Sequence, residues 1–377
     1  MSRSAAPLPA DEIARALAPL GRACMLPGAA YTEDAVLAWE REHLFDAAWM
    51  CTGRAPDTEP GSQCAASMGW GSRLLVRDDN GQLRAFANVC RHRGHELLAI
   101  GESATRPQVR CPYHGWTYAL DGTLKHVTGG DVRDPDSCAL GEVRANEWRG
   151  WAFVNASSTA APLERGLAGL DKILAPYDPG GLVAVERREY VVEANWKVLH
   201  ENYQECLHCP RIHPELCRVS PPESGDNLAP GPAWVGGWMD LRDGAETMSM
   251  TGELVGAIHP GLDELTRRRV GYFAVLPNLL VSAHPDYVLT HRFEPLTPST
   301  TRVECEWLVE PDVDDIGGAV ELWDLTNRQD WAACESVQRG LASGAYRPGP
   351  ILEREDAVHH FVGLIAAAYL GRAPAPD

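Results

Sequence analysis

The sequence predicts an α+β protein, with a small β-rich domain followed by a larger domain that mixes antiparallel strands and helices. Three observations predict it. Short strands broken by turn residues fill the chain from about Trp49 to Asn155. Three longer apolar runs, Tyr272–Ser282, Tyr287–Glu294 and Thr301–Val309, read as strands separated by turns. Two segments with helical apolar spacing, Ala319–Gly340 and Val358–Tyr369, close the chain. The domain ranges that follow are 1–45, 46–160 and 161–377.

Taken in order, the first 45 residues read as a helical segment that packs on the last domain. Asp11 is placed to cap a helix whose apolar side is Ile13, Leu17 and Leu20, and a second helix runs from Glu33 to Phe45. In the β-rich stretch, Leu74-Leu75-Val76 and Leu83-Arg84-Ala85-Phe86 flank Asp-Asp-Asn-Gly, a strong hairpin signal. Thr117–Leu120 before Asp121-Gly122 gives a second hairpin. Ala160–Pro179 reads as a connecting segment. Gly340 ends the first long helix and Gly371 stops the last, whose apolar stripe is Val358, Phe361, Val362, Ile365 and Tyr369.

The chain has 377 residues and a net charge of −18, which argues against nucleic acid as a partner. That excess of carboxylates suits a cationic small molecule or a basic partner, or serves solubility alone. No apolar run is long enough for a membrane span, and Asp11 and Glu12 sit where a secretory signal needs apolar residues. The expectation is a cytoplasmic protein. Its eleven cysteines then serve as ligands and core residues rather than as a disulfide framework.

Cys90-Arg-His92, a spacer of eighteen residues and Cys111-Pro-Tyr-His114 form the strongest chemical signal. Two thiols and two imidazoles suit a [2Fe–2S] cluster in which the histidine-bound iron takes the electron, and they also suit a structural zinc. Glycines at 94 and 115 let two loops approach closely, which favours the cluster. Cys90-Arg-His92-Arg-Gly94 and Cys111-Pro-Tyr-His114-Gly-Trp116 resemble the two ligand loops of the Rieske family almost letter for letter.

A second constellation runs from Asn195-Trp-Lys through Glu201, Glu205 and His208 to His213. Spacings of four and three put Glu201, Glu205 and His208 on one helix face. Pro210 breaks that helix and lets the chain turn His213 back. A non-heme ferrous oxygenase needs two histidines and one carboxylate. Asp330 is the candidate carboxylate, because it shares the stripe Trp323, Asn327, Asp330, Cys334 and Val337, where an acid needs a cation to be buried. Asp324 falls on another, solvated face.

This half resembles the catalytic segment of the alpha subunits of Rieske non-heme iron oxygenases (the aromatic-ring-hydroxylating family). The resemblance implies a helix-grip catalytic domain and a mononuclear iron on His208, His213 and Asp330. It also implies that Glu205 is the inter-subunit electron-transfer bridge, between His114 of one subunit and His208 of the next. Glu201-Asn-Tyr-Gln-Glu205-Cys-Leu-His208-Cys209, with Pro277-Asn-Leu-Leu, His284-Pro-Asp-Tyr287 and His291-Arg292, looks like the branch acting on glycine betaine, proline betaine and carnitine. That branch implies a homotrimeric monooxygenase that uses O2. A separate flavin and iron–sulfur reductase feeds it from NAD(P)H. Its chemistry is hydroxylation beside the charged nitrogen with loss of an aldehyde. An aromatic or other non-betaine substrate, with ring hydroxylation or O-demethylation, is the alternative within the family. A Rieske protein that only carries electrons is the rival outside it. Tyr203, Trp234, Trp238 and Tyr272 are the candidates for an aromatic cage around a methylated ammonium group.

Overall fold

The computed structural model describes residues 4–372, so the first three and last five positions of the domain ranges above lie outside the described residues. The chain divides into two units: Asp46–Ala160, and the chain up to Phe45 together with everything from Ala161 on.

The helical lead consists of Ala10–Ala14 (α1), Ala29–Thr32 (α2) and Asp34–Glu40 (α3), the last continued by a π-helical turn at Arg41–Phe45. Asp11 does not cap α1. Pro9 holds that position without a side-chain bond, and Asp11 lies in the first turn. The helix then tightens into a 3₁₀ turn at Arg15–Leu17, which buries Ile13 and Ala16 rather than a long stripe.

In the smaller unit, seven strands form one antiparallel sheet: Met50–Arg54 (β1), Ser62–Ser67 (β2), Ser72–Arg77 (β3), Leu83–Ala87 (β4), Ser103–Thr105 (β5), and, further on, Glu142–Trp148 and Trp151–Asn155. Between them, Val109–Arg110 (β6), Thr117–Tyr118 (β7) and Leu124–His126 (β8) make a three-stranded sheet. Both expected hairpins are present, β3–β4 and β7–β8. Asp78 closes the first. Its Oδ1 accepts from the Asn80 and Gln82 amides at 2.9 and 3.0 Å, and its carbonyl accepts from Gly81 N–H. Leu74, Val76, Phe86, Leu97 and Tyr118 form a core that includes Cys90 and Cys111.

The larger unit is built on a seven-stranded antiparallel sheet. With Glu142–Trp148 and Trp151–Asn155 as β9 and β10, its strands are Val183–Val192 (β11), Asp226–Asn227 (β12), Trp234–Asp240 (β13), Arg269–Val275 (β14), Leu279–Ala283 (β15), Val288–Thr297 (β16) and Thr300–Val309 (β17). They lie in the order β11-β17-β16-β15-β14-β13-β12. The run Tyr272–Ser282 is thus two strands, not one. Pro277 has no N–H for a ladder and sits in the turn between them. The segment 160–179 is not a plain connection, since Leu163–Gly166 (α4) and Leu170–Leu174 (α5) bury Leu163, Leu167, Leu170 and Leu174 at helical spacing.

Trp196–Tyr203 (α6), Cys209–Ile212 (α7) and Pro214–Val219 (α8) follow β11, and Gly317–Ala342 (α9) and Asp356–Tyr369 (α10) end the fold. Asn195 caps α6 by accepting from Lys197 N–H at 3.0 Å. Helix α9 lies on the sheet, with Trp323 Nε1 donating to Tyr287 Oη at 2.7 Å and Asn327 on His291. It runs past Gly340, and Gly344 at φ +73° follows its end. Val337 is half exposed and does not belong to the buried stripe, which continues instead through Gln338 and Leu341.

Candidate functional site

The two Cys–His loops share one backbone pattern. Each cysteine N–H donates 2.8 Å to the carbonyl five residues on, Cys90 to His95 and Cys111 to Trp116. Each following glycine donates back to the cysteine carbonyl, Gly94 to Cys90 at 3.0 Å and Gly115 to Cys111 at 3.1 Å. Both glycines adopt a positive φ, +76° and +71°, where a side chain is strained. The cysteines are 2% exposed and sit in the core, while the histidine rings approach each other to 4.7 Å toward solvent. His92 stacks on Trp116 at 4.8 Å, which fixes its plane. Burial and the adjacent Cys90 thiol push the Cys111 thiol upward. Two inner thiols and two outer imidazoles are the donor set that would hold a [2Fe–2S] cluster. Tyr118 Oη, 3.3 Å from Cys90 Sγ, adds a hydrogen bond of the kind that tunes such a cluster.

The second group gathers in the larger unit, but not as the helical spacing suggested. Helix α6 ends at Tyr203, so Glu205 and His208 lie in the turn after it. Glu201 instead stays on α6 and accepts from Tyr31 Oη at 2.7 Å. Pro210 does not break a helix; it occupies the first turn of α7, where a missing N–H costs nothing, and His208 and His213 flank that short helix. Asp330 Oδ1 lies 2.8 Å from His213 Nε2 and 3.5 Å from His208 Nε2. Donors bound to one metal at right angles are separated by about 3 Å, so this spacing fits an ion held by two histidines and one carboxylate. Burial works against charge on Asp330, yet the two histidines hold its carboxyl below the usual range. Burial also opposes charge on His208, but Asp330 and Glu205 push it up to about 9. Both shifts show a pocket that demands positive charge.

The far nitrogens are also held. His208 Nδ1 donates to Glu205 Oε1 at 2.5 Å, and His213 Nδ1 to Gln329 Oε1 at 2.7 Å. Both Nε2 atoms are thereby left for a metal. The Gln329 contact carries no sequence signal, because an amide beside an acid on a helix is commonplace. Replacing Gln329 with Leu is expected to weaken iron retention about 10- to 100-fold, read as metal lost on dialysis against a chelator. Cys206 and Cys209, expected as free residues, form a disulfide in the turn around His208.

A cavity of about 290 Å³ opens beside these ligands. Tyr203 and Tyr272 line it with ring centroids 6.0 Å apart, and Trp323 lies 6.3 Å from Tyr272. Trp234 does not. It is buried elsewhere, its indole donating to Ala168 O at 2.9 Å. Trp238 borders the cavity, but its partner across the ladder is Gly271, whereas Tyr272 faces Gly237. Alternation therefore puts the Trp238 ring on the other sheet face, edge-on to Phe273 at 5.4 Å. His291, Trp323 and Trp331, not anticipated from the sequence, complete the aromatic wall.

Cluster loops in one unit and a two-histidine, one-carboxylate pocket in the other define a Rieske-type oxygenase, an oxidoreductase. Residues 48–133 match the Rieske [2Fe-2S] domain and residues 180–371 match the ring hydroxylating alpha subunit catalytic domain. The chain belongs to the ring-hydroxylating alpha subunit family. It is 30% identical to the glycine betaine monooxygenase oxygenase subunit of Chromohalobacter salexigens, over 93% of this chain and 87% of that one. It is 29% identical to the carnitine monooxygenase oxygenase subunit of Escherichia coli (91% and 93%) and 28% identical to the chloroplastic choline monooxygenase of Spinacia oleracea (89% and 76%). The fold is shared with a quaternary ammonium Rieske monooxygenase (TM-score 0.81, 24% identity, 97% and 100% covered) and with naphthalene 1,2-dioxygenase from Rhodococcus sp. (TM-score 0.76, 20% identity, 93% and 95% covered). No helix among the described residues is long and apolar enough to cross a membrane.

Proposed function

We propose that this chain is the oxygenase component of a two-component monooxygenase. It hydroxylates a small quaternary ammonium compound beside its nitrogen, and the product then loses an aldehyde. We assign it to the cytoplasm as a homotrimer fed by an NAD(P)H-dependent flavin and iron–sulfur reductase, with O2 as co-substrate. The observation that carries this reading is the aromatic, carboxylate-lined cavity set directly against His208, His213 and Asp330. When bound, the cluster supplies single electrons and the mononuclear iron supplies oxygen activation.

The chain's own residues do the rest. His208, His213 and Asp330 would hold the iron at the edge of the cavity. Glu205 and Gln329 are positioning residues that fix the two imidazole planes. Glu205 is also the residue we assign to the inter-subunit electron path. Tyr203 is anchored by its hydroxyl, which donates to Val281 O at 3.1 Å, so its ring face is fixed for the ammonium group. Each such ring contributes about 0.5–2 kcal/mol by cation–π attraction. Leu199, Leu280 and Phe293 keep water away from the reacting carbon.

Oxygen uptake by the loaded enzyme with reductase is expected to rise with trimethylammonium compounds and to release aldehyde in equal amount. Uptake that answers only to aromatic acids would overturn the assignment.

A further inference from the structure

The turn that carries His208 also holds two sulfurs that the proposed reaction leaves unused. Cys206 and Cys209 flank His208 and are joined by a disulfide. Cys209 Sγ lies 3.8 Å from His208 Nε2, the nitrogen left for the iron. That sulfur and one ring nitrogen from each of His208 and His213 all lie within 4.8 Å of one another. A nitrogen and a sulfur bound to one tetrahedral metal are separated by about 3.5 Å. Cys209 therefore stands where a fourth protein ligand would stand, beside His208, His213 and Asp330, a conclusion that rests on the iron assignment above.

The disulfide decides whether that sulfur can bind. Metals take a thiolate, and a sulfur bonded to another sulfur carries no such charge. With the bond closed, the donor set is two histidines and one carboxylate, which leaves positions for oxygen and substrate. With it open, the set gains a thiolate and matches the four-ligand arrangement of structural zinc sites. A soft sulfur also favours zinc over ferrous iron. Opening the bond does not release the turn, because Cys209 N–H donates to Cys206 O at 3.3 Å and His213 N–H to Cys209 O at 2.9 Å. Access is one-sided. Both cysteines line the cavity, but Cys209 is 4% exposed while Cys206 is only part-buried. A dithiol entering there attacks the Cys206 sulfur, and the Cys209 sulfur leaves with the electron pair of the broken bond. The second thiol of the reductant then releases Cys206 and closes its own disulfide. Two electrons and two protons pass from the dithiol to the cysteine pair, and the Cys209 proton goes to water when its sulfur binds metal.

We propose that Cys209 is a redox-gated metal ligand. The Cys206–Cys209 disulfide withholds its sulfur and keeps the site open for oxygen chemistry. Reduction by a dithiol turns the same site into a closed, zinc-preferring one.

The test uses cluster-loaded protein with cobalt(II) as the probe of the second site, before and after treatment with dithiothreitol that is then removed anaerobically by gel filtration. Absorption is read against the same protein without cobalt, so that the cluster cancels. A sulfur-to-cobalt charge-transfer band is expected after reduction, not before it, and in neither state of Cys209→Ser. Cys206→Ser leaves Cys209 free and is expected to show the band without reductant; it stands in if the Cys209 variant loses its native circular dichroism. In competition with ferrous iron, zinc retention at this site is expected to rise at least about tenfold on reduction. Reduced protein that binds cobalt without the band overturns the proposal, as does a band of equal strength before and after reduction. Zinc retention that reduction leaves unchanged overturns it as well. If Asp330→Ala binds as much cobalt as the wild type, or if neither state of the wild type binds any, the iron assignment itself fails, and this inference with it.

Discussion

Replacing Asp330 with Ala is expected to lower turnover below about a thousandth of the wild-type rate, a loss of roughly 4 kcal/mol of transition-state stabilisation. The visible spectrum of the cluster is expected to stay unchanged. Among the described residues Asp330 is the one carboxylate within reach of both His208 and His213, and without it the buried His213 and the part-buried His208 face each other with no anion between them. Iron content should fall from about three per chain to about two, because the Cys90, His92, Cys111 and His114 loops belong to the other unit. Asp324 is the internal control. It lies two turns earlier on the same helix but accepts from Tyr190 Oη at 2.5 Å and from Arg328 Nε at 2.9 Å, away from both histidines. Asp324→Ala should keep its third iron. Full activity or a retained third iron in the Asp330 variant would remove this residue from the ligand set.

That assignment was legible because two physical signals coincide at Asp330. One is the periodicity of a long helix; the other is the cost of putting an acid on its apolar stripe. The cluster loops were legible from ligand identity and glycine placement alone. The turn carrying Glu205 and His208 was misread because a spacing of four and three is blind to where a helix stops, and α6 stops at Tyr203. Pro210 was misread for a related reason: proline is as welcome in the first turn of a new helix as it is disruptive inside an old one. Trp234 and Tyr272 look alike as aromatic strand residues. Only the register of β13 against β14 shows that neighbours along the strand face opposite sides. Gln329 on α9 meets His213 between α7 and α8, and Asn327 on α9 meets His291 on β16, contacts that no local pattern encodes.

Lys197→Met is expected to cost about 3–5 kcal/mol of stability. Lys197 Nζ lies 2.6 Å from Glu40 Oε1, and both side chains are fully buried. Trp196 Nε1 donates to the same carboxylate at 2.9 Å, as does the Tyr369 hydroxyl, so α3, α6 and α10 meet on a single acid. Removing the ammonium leaves that acid buried without a counter-charge, whereas removing both charges does not. The Glu40→Gln, Lys197→Met double variant should therefore recover to within about 1 kcal/mol of wild type. The deficit of the single variant has a pH sign as well. Burial pushes Glu201 up to about 8, against the opposing pull of Tyr31 and Lys197. An acid whose folded pKa lies above its unfolded value loses stability as pH climbs from the unfolded value toward the folded one. Without Lys197 the folded value rises further, so variant and wild type lose stability in parallel up to about pH 8 and the gap between them should widen above about pH 8. Urea midpoints at several pH values measure it. A gap under about 1 kcal/mol at all pH values, or a double variant as weak as the single one, would mean that α6 is held by its apolar packing and that the buried pair is incidental.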